Sequence, residues 1–259
     1  MDYEYLLFET IKVAENSSYA RLTLNRPALK NALSIAVRDE LIAALSRCAE
    51  DNDLKLVVLA GAGSCFCAGF DLKEALETDL ESFDFRFRDF FEALYSFPKP
   101  LITVVHGAAF AGGFDTALSG DIIIATPNAQ FGHPEIHFGV IPLLAPLSNK
   151  IPLNKAFELA TLGSIIDAQE GLRIGLVNRI IASEHLAEKV HTIASTMALI
   201  PLSDLITLKK VKKSISRMDH STATFIELQH FRRLAHNSSV QGKLETYFRS
   251  LANSRTGSI

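Results

Sequence analysis

Two glycine-bearing stretches carry the residues best placed for chemistry: Ser64-Cys65-Phe66-Cys67-Ala68-Gly69-Phe70-Asp71 and His106-Gly107-Ala108-Ala109-Phe110-Ala111-Gly112-Gly113-Phe114-Asp115. Each follows an apolar run that reads as a buried strand, Leu56 to Ala60 and Leu101 to Val105. Glycine lets a backbone turn sharply or approach another group closely. Two strand-to-helix turns of this kind can aim N–H groups at one point, as an anion or a developing oxyanion requires. A third stretch, Phe131-Gly132-His133-Pro134-Glu135-Ile136, adds a carboxylate whose backbone the preceding proline restricts. A glutamate in so apolar a setting is costly to bury without a purpose. Asp115 and Asp121 lie among small and apolar residues, where either could serve chemistry or satisfy backbone groups. His106 and His133 flank these stretches, placed to contact a substrate, to orient a carboxylate, or to sit as satisfied core histidines.

The elements that must position these residues can be read around them. Leu6 to Val13 and Ala20 to Leu24 read as a hairpin about Glu15-Asn16-Ser17-Ser18, ended by Arg26-Pro27. A helix starts near Ser34, with Val37, Leu41, Leu45 and Cys48 along one face. Leu54 to Ala60 is the strand entering the first turn, and Leu72 to Leu76 a short helix leaving it. The Phe-rich stretch from Asp79 to Ser96 reads as a helix covering an apolar pocket, a subunit contact or core. The small-residue run from Ala108 through Leu118 predicts one buried helix, and Ile122 to Ala125 another strand. Helices at Asn154 to Leu162 and Asp167 to Ile174, a strand at Val177 to Ile181 and a helix capped by Ser183 follow. The segment 141–151 is unusually apolar for a loop. Past Pro201 the strand pattern gives way to helices near Ser203–Met218, Ala223–His236 and Val240–Ala252, and a polar tail. This alternation predicts an α/β fold with parallel pairing in 1–199 and a helical segment in 200–259.

A chain of 259 residues, 48% hydrophobic, can bury a sizeable core. Its net charge of −3 supplies no general attraction to nucleic acid or an anionic membrane. No apolar run approaches the roughly 18 to 20 residues that cross a bilayer. Met1-Asp2-Tyr3-Glu4-Tyr5 is acidic with no apolar core behind a basic flank, so no signal peptide is expected and a cytoplasmic location is. Cys65 and Cys67 are too close for an ordinary disulfide, and no Cys/His set accompanies them, so they and Cys48 read as small buried residues.

Taken together, these motifs resemble the crotonase family, also called the enoyl-CoA hydratase/isomerase superfamily. The resemblance runs from Leu22-Thr23-Leu24-Asn25-Arg26-Pro27 and Asn31-Ala32-Leu33 to the helical end. It is sharpest at Phe66-Cys67-Ala68-Gly69-Phe70-Asp71-Leu72, His106-Gly107 through Gly112-Gly113, and Phe131-Gly132-His133-Pro134-Glu135. It implies a crotonase-like spiral of β-β-α units, with C-terminal α-helices building a homotrimer that can pair into a homohexamer. It implies an acyl-CoA thioester substrate, coenzyme A being part of that substrate, with no separate cofactor and no metal. The backbone N–H groups of Phe70 and Gly112 would form the oxyanion hole, and Ala68, Gly69, Asp71, Gly113 and Leu143 would border the substrate. Two fixed donors at a thioester oxygen stabilise the enolate formed when a neighbouring proton is removed or added.

The resemblance also puts Asp115 and Glu135 at the two acid/base positions. Two carboxylates sharing one water can hydrate a 2-enoyl-CoA, one activating the water and the other supplying the α-proton. Hydratases of the family usually carry glutamate at both positions. Aspartate retreats by roughly an ångström, a displacement that can cost roughly 10²-fold. Enoyl-CoA isomerases use a single glutamate at the position of Glu135. A dienoyl-CoA isomerase has the same Asp and Glu, but its further acid corresponds here to Leu143. Leu143-Leu144-Ala145-Pro146-Leu147 replaces a glycine-rich run and is closer to members acting on cyclic dienoyl-CoA. Hydratase is therefore the leading expectation. Enoyl- or dienoyl-CoA isomerase, cyclic dienoyl-CoA hydratase and a catalytically silent CoA-binding protein are the alternatives.

Overall fold

Strands form here where branched and aromatic residues gather, and helices where apolar residues recur every third or fourth position. The computed structural model describes residues 3–77 and 80–215, with the side chains of 75–86 and 215 excepted. β1 (Leu6–Ala14) and β2 (Ser17–Leu24) pair antiparallel around Glu15-Asn16. Pro27–Leu29 forms a 3-10 turn, and Ser34 caps α1 (Ile35–Glu50), its hydroxyl accepting from the Val37 amide at 3.3 Å. Val37, Leu41, Leu45 and Cys48 are all buried, as their spacing predicts. β3 (Leu54–Gly61) leads to α2 (Leu72–Glu77) and α3 (Leu80–Ser96). Then come β4 (Leu101–Val105), β5 (Ala108–Phe110), α4 (Gly112–Leu118), β6 (Ile122–Ala125) and β7 (Gln130–Gly132). A 3-10 turn at Pro134–Phe138 precedes α5 (Leu144–Ser148) and α6 (Leu153–Leu162). β8 (Ile166–Asp167), α7 (Ala168–Arg173), β9 (Arg179–Ile180), α8 (Ser183–Ala198) and α9 (Leu202–Ile215) follow.

The larger sheet has the order β1-β2-β3-β4-β6-β9 and is parallel from β2 onward. The smaller one has the order β5-β7-β8, with β5 and β7 parallel and β8 antiparallel to β7. Successive strands thus go one to each sheet before a helix returns the chain: β4, β5 and α4 form one such unit, and β6 and β7 begin the next. Cys67 adds a parallel bridge to Ala109, which pairs in turn with Phe131. Three passes of the spiral therefore stack Cys67, Ala109 and Phe131 at equivalent positions.

Alternation along the larger sheet supplies two apolar faces. Leu22, Leu24, Val57, Leu59, Val105 and Ile123 enter the main core. Leu56, Val58, Ile102, Val104 and Ile124 face the other way, onto Val190, Ala194 and Ala198 of α8. Near-continuous apolar strands are what a sheet covered on both sides requires.

Several local expectations are corrected. Composition predicts a helix from Ala108, but Ala108–Phe110 is strand, and the helix begins at Gly112. Pairing with Gln130–Gly132, distant in sequence, overrides the helical preference of the alanines. Ser183 is the first helical residue rather than the cap, which is Ala182 with no side-chain bond. The expected strand Val177–Ile181 shortens to Arg179–Ile180, and the apolar loop at 141–151 contains α5. Pro201 falls between α8 and α9, as predicted. The chain divides into two compact units, Met1–Ile206 and Thr207–Ile259, the second described only through the end of α9. The helices predicted at Ala223–His236 and Val240–Ala252, and the polar tail, lie outside the described residues.

Candidate active site

Stacked register brings the two glycine turns together. Three positions beyond Cys67 and Ala109 the chain reaches Phe70 and Gly112. Leu33 donates its N–H to the Gly69 carbonyl at 2.8 Å and accepts from Asp71 N at 3.4 Å. In an extended segment successive amides point to opposite sides, so the N–H of Phe70 lies on the side away from Leu33. A Cβ added to Gly112 would stand 2.4 Å from the Phe70 ring, and one added to Gly69 would lie 3.6 Å from Gly112 N. Only glycine fits at position 112 without moving that ring. Ala111, which sets the direction of the peptide carrying the Gly112 N–H, has φ 50° and ψ −127°. This conformation costs a non-glycine residue on the order of 1–3 kcal/mol. It is held by a hydrogen bond from Ala111 N to the Gly132 carbonyl at 3.0 Å.

The surroundings keep these turns in place. The Phe70 ring lies 5.0 Å from Phe87 and 6.0 Å, edge-on, from Phe91, both on α3. The buried Arg38 guanidinium sits over it at 5.3 Å. Of the phenylalanines predicted to line α3, Phe87, Phe90 and Phe91 pack together, while the side chains of Phe83 and Phe85 lie outside the described residues. Asp71 pairs with Arg26 at 3.2 Å and accepts from the Glu74 amide at 3.4 Å, tying the turn to the start of α2. Ala68 donates its N–H to the Lys30 carbonyl at 3.0 Å. Gly113 lies against the preceding turn, where an added Cβ would come 2.3 Å from the Cys67 carbonyl oxygen. Leu143 is partly buried against the core at the start of α5, which packs on α4.

The two carboxylates come from α4 and from the 3-10 turn that follows β7. Asp115 lies in the first turn of α4 and is 3% exposed; Glu135 is the second residue of the Pro134–Phe138 turn. His133 lies between them. Its Nδ1 is 2.9 Å from Glu135 Oε1, and its Nε2 is 3.6 Å from Asp115 Oδ1. The Phe114 ring covers the imidazole, with ring centres 4.8 Å apart. From α3, the Tyr95 hydroxyl donates to the Asp115 main-chain carbonyl at 2.6 Å. Burial pushes the Asp115 carboxyl well above the ordinary carboxylate range, and the charge of Glu135 pushes it further. Burial raises the Tyr95 hydroxyl as well, with Asp115 adding to the effect. Among the described residues, Asp115 Oδ1, His133 Nε2 and Glu135 Oε2 are buried with no hydrogen-bond partner. Buried orphan groups of this kind are costly unless a substrate or a shared proton satisfies them. One atom from each of the three residues lies within 4.8 Å of the others, a spacing a cation could span.

The remaining candidates have other partners. Asp121 accepts from the Leu101 amide at 2.9 Å, fixing the start of β4. His106 Nε2 faces the Gly63 carbonyl at 3.0 Å. Cys48, Cys65 and Cys67 are buried free thiols, and burial pushes Cys48 and Cys67 up to about 12. Tyr95 and the bridging position of His133 are the residues that sequence reasoning missed. The sequence offered a histidine two residues before Glu135, but nothing that linked it to Asp115.

A sequence model of the family described as enoyl-CoA hydratase/isomerase matches residues 14–252. A probable enoyl-CoA hydratase from Mycobacterium leprae (strain TN) is 34% identical over 240 residues, covering 90% of this chain and 91% of the relative. A probable enoyl-CoA hydratase from Rhizobium meliloti (strain 1021) is 37% identical over 206 residues, 78% of each chain. Among solved structures, enoyl-CoA hydratase from Mycobacterium smegmatis superposes with a TM-score of 0.86 at 29% identity, covering 95% of this chain and 96% of that one.

Proposed function

The chain belongs to the enoyl-CoA hydratase/isomerase family, and from that premise we propose that it adds water reversibly across the double bond of a 2-enoyl-CoA thioester. The observation that carries this reading is the convergence of Asp115 and Glu135 on one imidazole, on elements that also bring Phe70 and Gly112 into contact. The backbone N–H groups of Phe70 and Gly112 hold the thioester oxygen as it gains enolate charge. Glu135 takes a proton from water, the hydroxyl adds at Cβ, and Asp115 supplies the proton that Cα receives. Atoms balance without a redox step, so coenzyme A enters only as part of the substrate. Residues 68–71 and Gly113 flank the thioester, and Leu143 borders the acyl group. Asp115 is one methylene shorter than glutamate, yet it faces the same imidazole, which is hydrogen-bonded to Glu135 at 2.9 Å and lies 3.6 Å from Asp115.

A second reading is double-bond isomerisation, favoured by the depth of the Asp115 side chain, 4% exposed, against the more open Glu135 side chain at 14%. One carboxylate then takes the α-proton and returns it at γ. The test is turnover of straight-chain 2-enoyl-CoA, 3-enoyl-CoA and cyclic dienoyl-CoA, followed by ultraviolet absorbance and product analysis. Hydration of the 2-enoyl thioester is expected, with Glu135→Gln lowering kcat by about 10²–10⁴-fold and changing KM little. Conversion of the 3-enoyl substrate alone establishes isomerisation, and binding without turnover across the panel overturns both readings.

The assembly proposed is a homotrimer, alone or paired into a hexamer. In its support, Phe138 and Ile141, just past Glu135, are 81% and 84% exposed, and Val140 between them is exposed too. Contiguous apolar surface of this kind marks a contact face.

A further inference from the structure

The turn that carries the Phe70 N–H lies between β3 and α2 and holds only isolated bridges of regular structure, so its shape must be imposed from outside it. We propose that Asn31 is the positioning residue of the oxyanion hole: its buried side-chain amide moulds residues 62–71 and so aims the Phe70 N–H at the thioester oxygen. The proposal rests on the reading of Phe70 and Gly112 as oxyanion donors, and Asn31 itself touches no reacting atom.

Asn31 is 1% exposed and left-handed, with φ at 56°, a conformation asparagine tolerates better than most residues other than glycine. Its Nδ2 lies 2.8 Å from the Ala62 carbonyl, 2.9 Å from that of Cys65 and 3.1 Å from that of Phe66. Its Oδ1 accepts from the Arg26 amide at 2.9 Å, and the Arg26 guanidinium pairs with Asp71 at 3.2 Å. Carbonyls on one side and an N–H on the other fix which way the amide faces. This side chain therefore reaches the turn before Phe70 directly and the residue after it through Arg26. The main chain completes the template. The Asn31 carbonyl accepts from the Cys67 thiol at 3.1 Å, and the same sulfur receives the Gly69 N–H at 3.5 Å. Lys30, also left-handed at φ 51°, offers its carbonyl to the Ala68 N–H at 3.0 Å. Only a donor can gather three buried carbonyls at one point, and leaving them unpaired is costly. An aspartate of the same shape would present oxygen to oxygen.

Lys99 shows what the same device does away from the site. It is 1% exposed, and its Nζ donates to the carbonyls of Cys48, Asp51 and Leu54 at 2.6, 2.6 and 2.9 Å. These bonds lie where β3 and β4 begin, whereas both glycine turns follow the ends of those strands. Two buried side chains thus gather three carbonyls each, at opposite ends of the same strands. Loss of either removes buried hydrogen bonds and lowers stability. Only loss of Asn31 reaches the Phe70 N–H, while the Gly112 N–H keeps its own support from Ala111 and Gly132.

Kinetics of the full chain test this with Asn31→Ser, which keeps one donor, Asn31→Asp, which keeps the shape and no donor, and Lys99→Met, each assayed well below its own thermal midpoint. The expected kcat falls by about tenfold in Asn31→Ser and about 10²-fold in Asn31→Asp with KM little changed, while Lys99→Met loses stability and keeps the wild-type kcat. Lowered midpoints with unchanged kcat in the Asn31 variants overturn the proposal. Should neither fold, Cys67→Ala, which removes only the thiol between the Asn31 carbonyl and the Gly69 amide, is read the same way. A 3-oxoacyl-CoA that ionises to its enolate when bound supplies a readout that a merely structural role would not move. Followed by ultraviolet absorbance, the pKa of the bound ligand should rise by about one unit in Asn31→Ser, equivalent to about tenfold weaker enolate stabilisation, and no movement overturns the proposal. If the wild type neither turns over a thioester nor ionises this ligand, the functional reading falls by itself, and hydrogen exchange decides the positioning. Amides of residues 65–70 should then exchange about tenfold faster in Asn31→Ser than in wild type, and equal rates overturn the proposal.

Discussion

At Asp115 the proposed catalytic role and stability oppose each other. In the unfolded chain its carboxyl loses the proton at the ordinary value, whereas burial and Glu135 raise the folded value well above it. Between those two pH values the folded state holds more protons, so this group's contribution to stability falls as pH rises and is fully lost above the folded value. Asp115→Asn removes the titration. Its thermal midpoint should exceed that of the wild type by more at pH 8 than at pH 4, while turnover falls by about 10²-fold or more. Equal midpoint differences at both pH values would count against a buried, protonated carboxyl. Glu135 was legible because a glutamate behind a proline in an apolar run asks for a purpose. Residue type alone left Asp115 and Asp121 alike, and only the family resemblance singled out Asp115; the fold gives Asp121 the Leu101 amide and sets Asp115 beside the imidazole.

At the scale of elements, the site depends on two turns that meet because equivalent positions stack across the smaller sheet. Gly112 tests that arrangement. Adding one methyl group drives the Phe70 ring away from a contact of 2.4 Å, and displacing a backbone donor by about 1 Å can cost 10²-fold. Gly112→Ala should therefore lower kcat by about 10²-fold, and Phe70→Ala in the same chain should recover part of the loss, since it removes the clashing ring and leaves both N–H groups. Additive losses in the double-mutant cycle would show that the ring does not transmit the effect. The strand character of Ala108–Phe110 illustrates the limit of local reading. Three small or aromatic residues carry little periodicity, and the partner that makes them a strand lies at 130–132.

For the whole molecule, the exposed run Phe138, Val140 and Ile141 sits next to the chemistry, so assembly and activity are expected to be coupled. On the proposed trimer, Phe138→Asp combined with Ile141→Asp should lower the mass found by sedimentation velocity toward a monomer, with the circular dichroism unchanged because both side chains are solvent-facing in the single chain. A trimer that survives the double substitution would place the contact face elsewhere. Large apolar groups at the centre of an interface carry much of its energy, which is why two charges should suffice.

The sequence by itself determined the family, the strand–turn–helix rhythm, the glycine turns and Glu135, because each of these is written in local composition and spacing. Val37, Leu41, Leu45 and Cys48 announce a helix face before any contact is known, and a glycine after an apolar run announces a turn. Only the tertiary structure decided that Ala108–Phe110 pairs as a strand, that Gly112 meets the Phe70 ring, and that His133 stands between Asp115 and Glu135. These are relations between segments separated by tens of residues. Sheet register sets them, and register is a long-range choice that no short window of sequence contains.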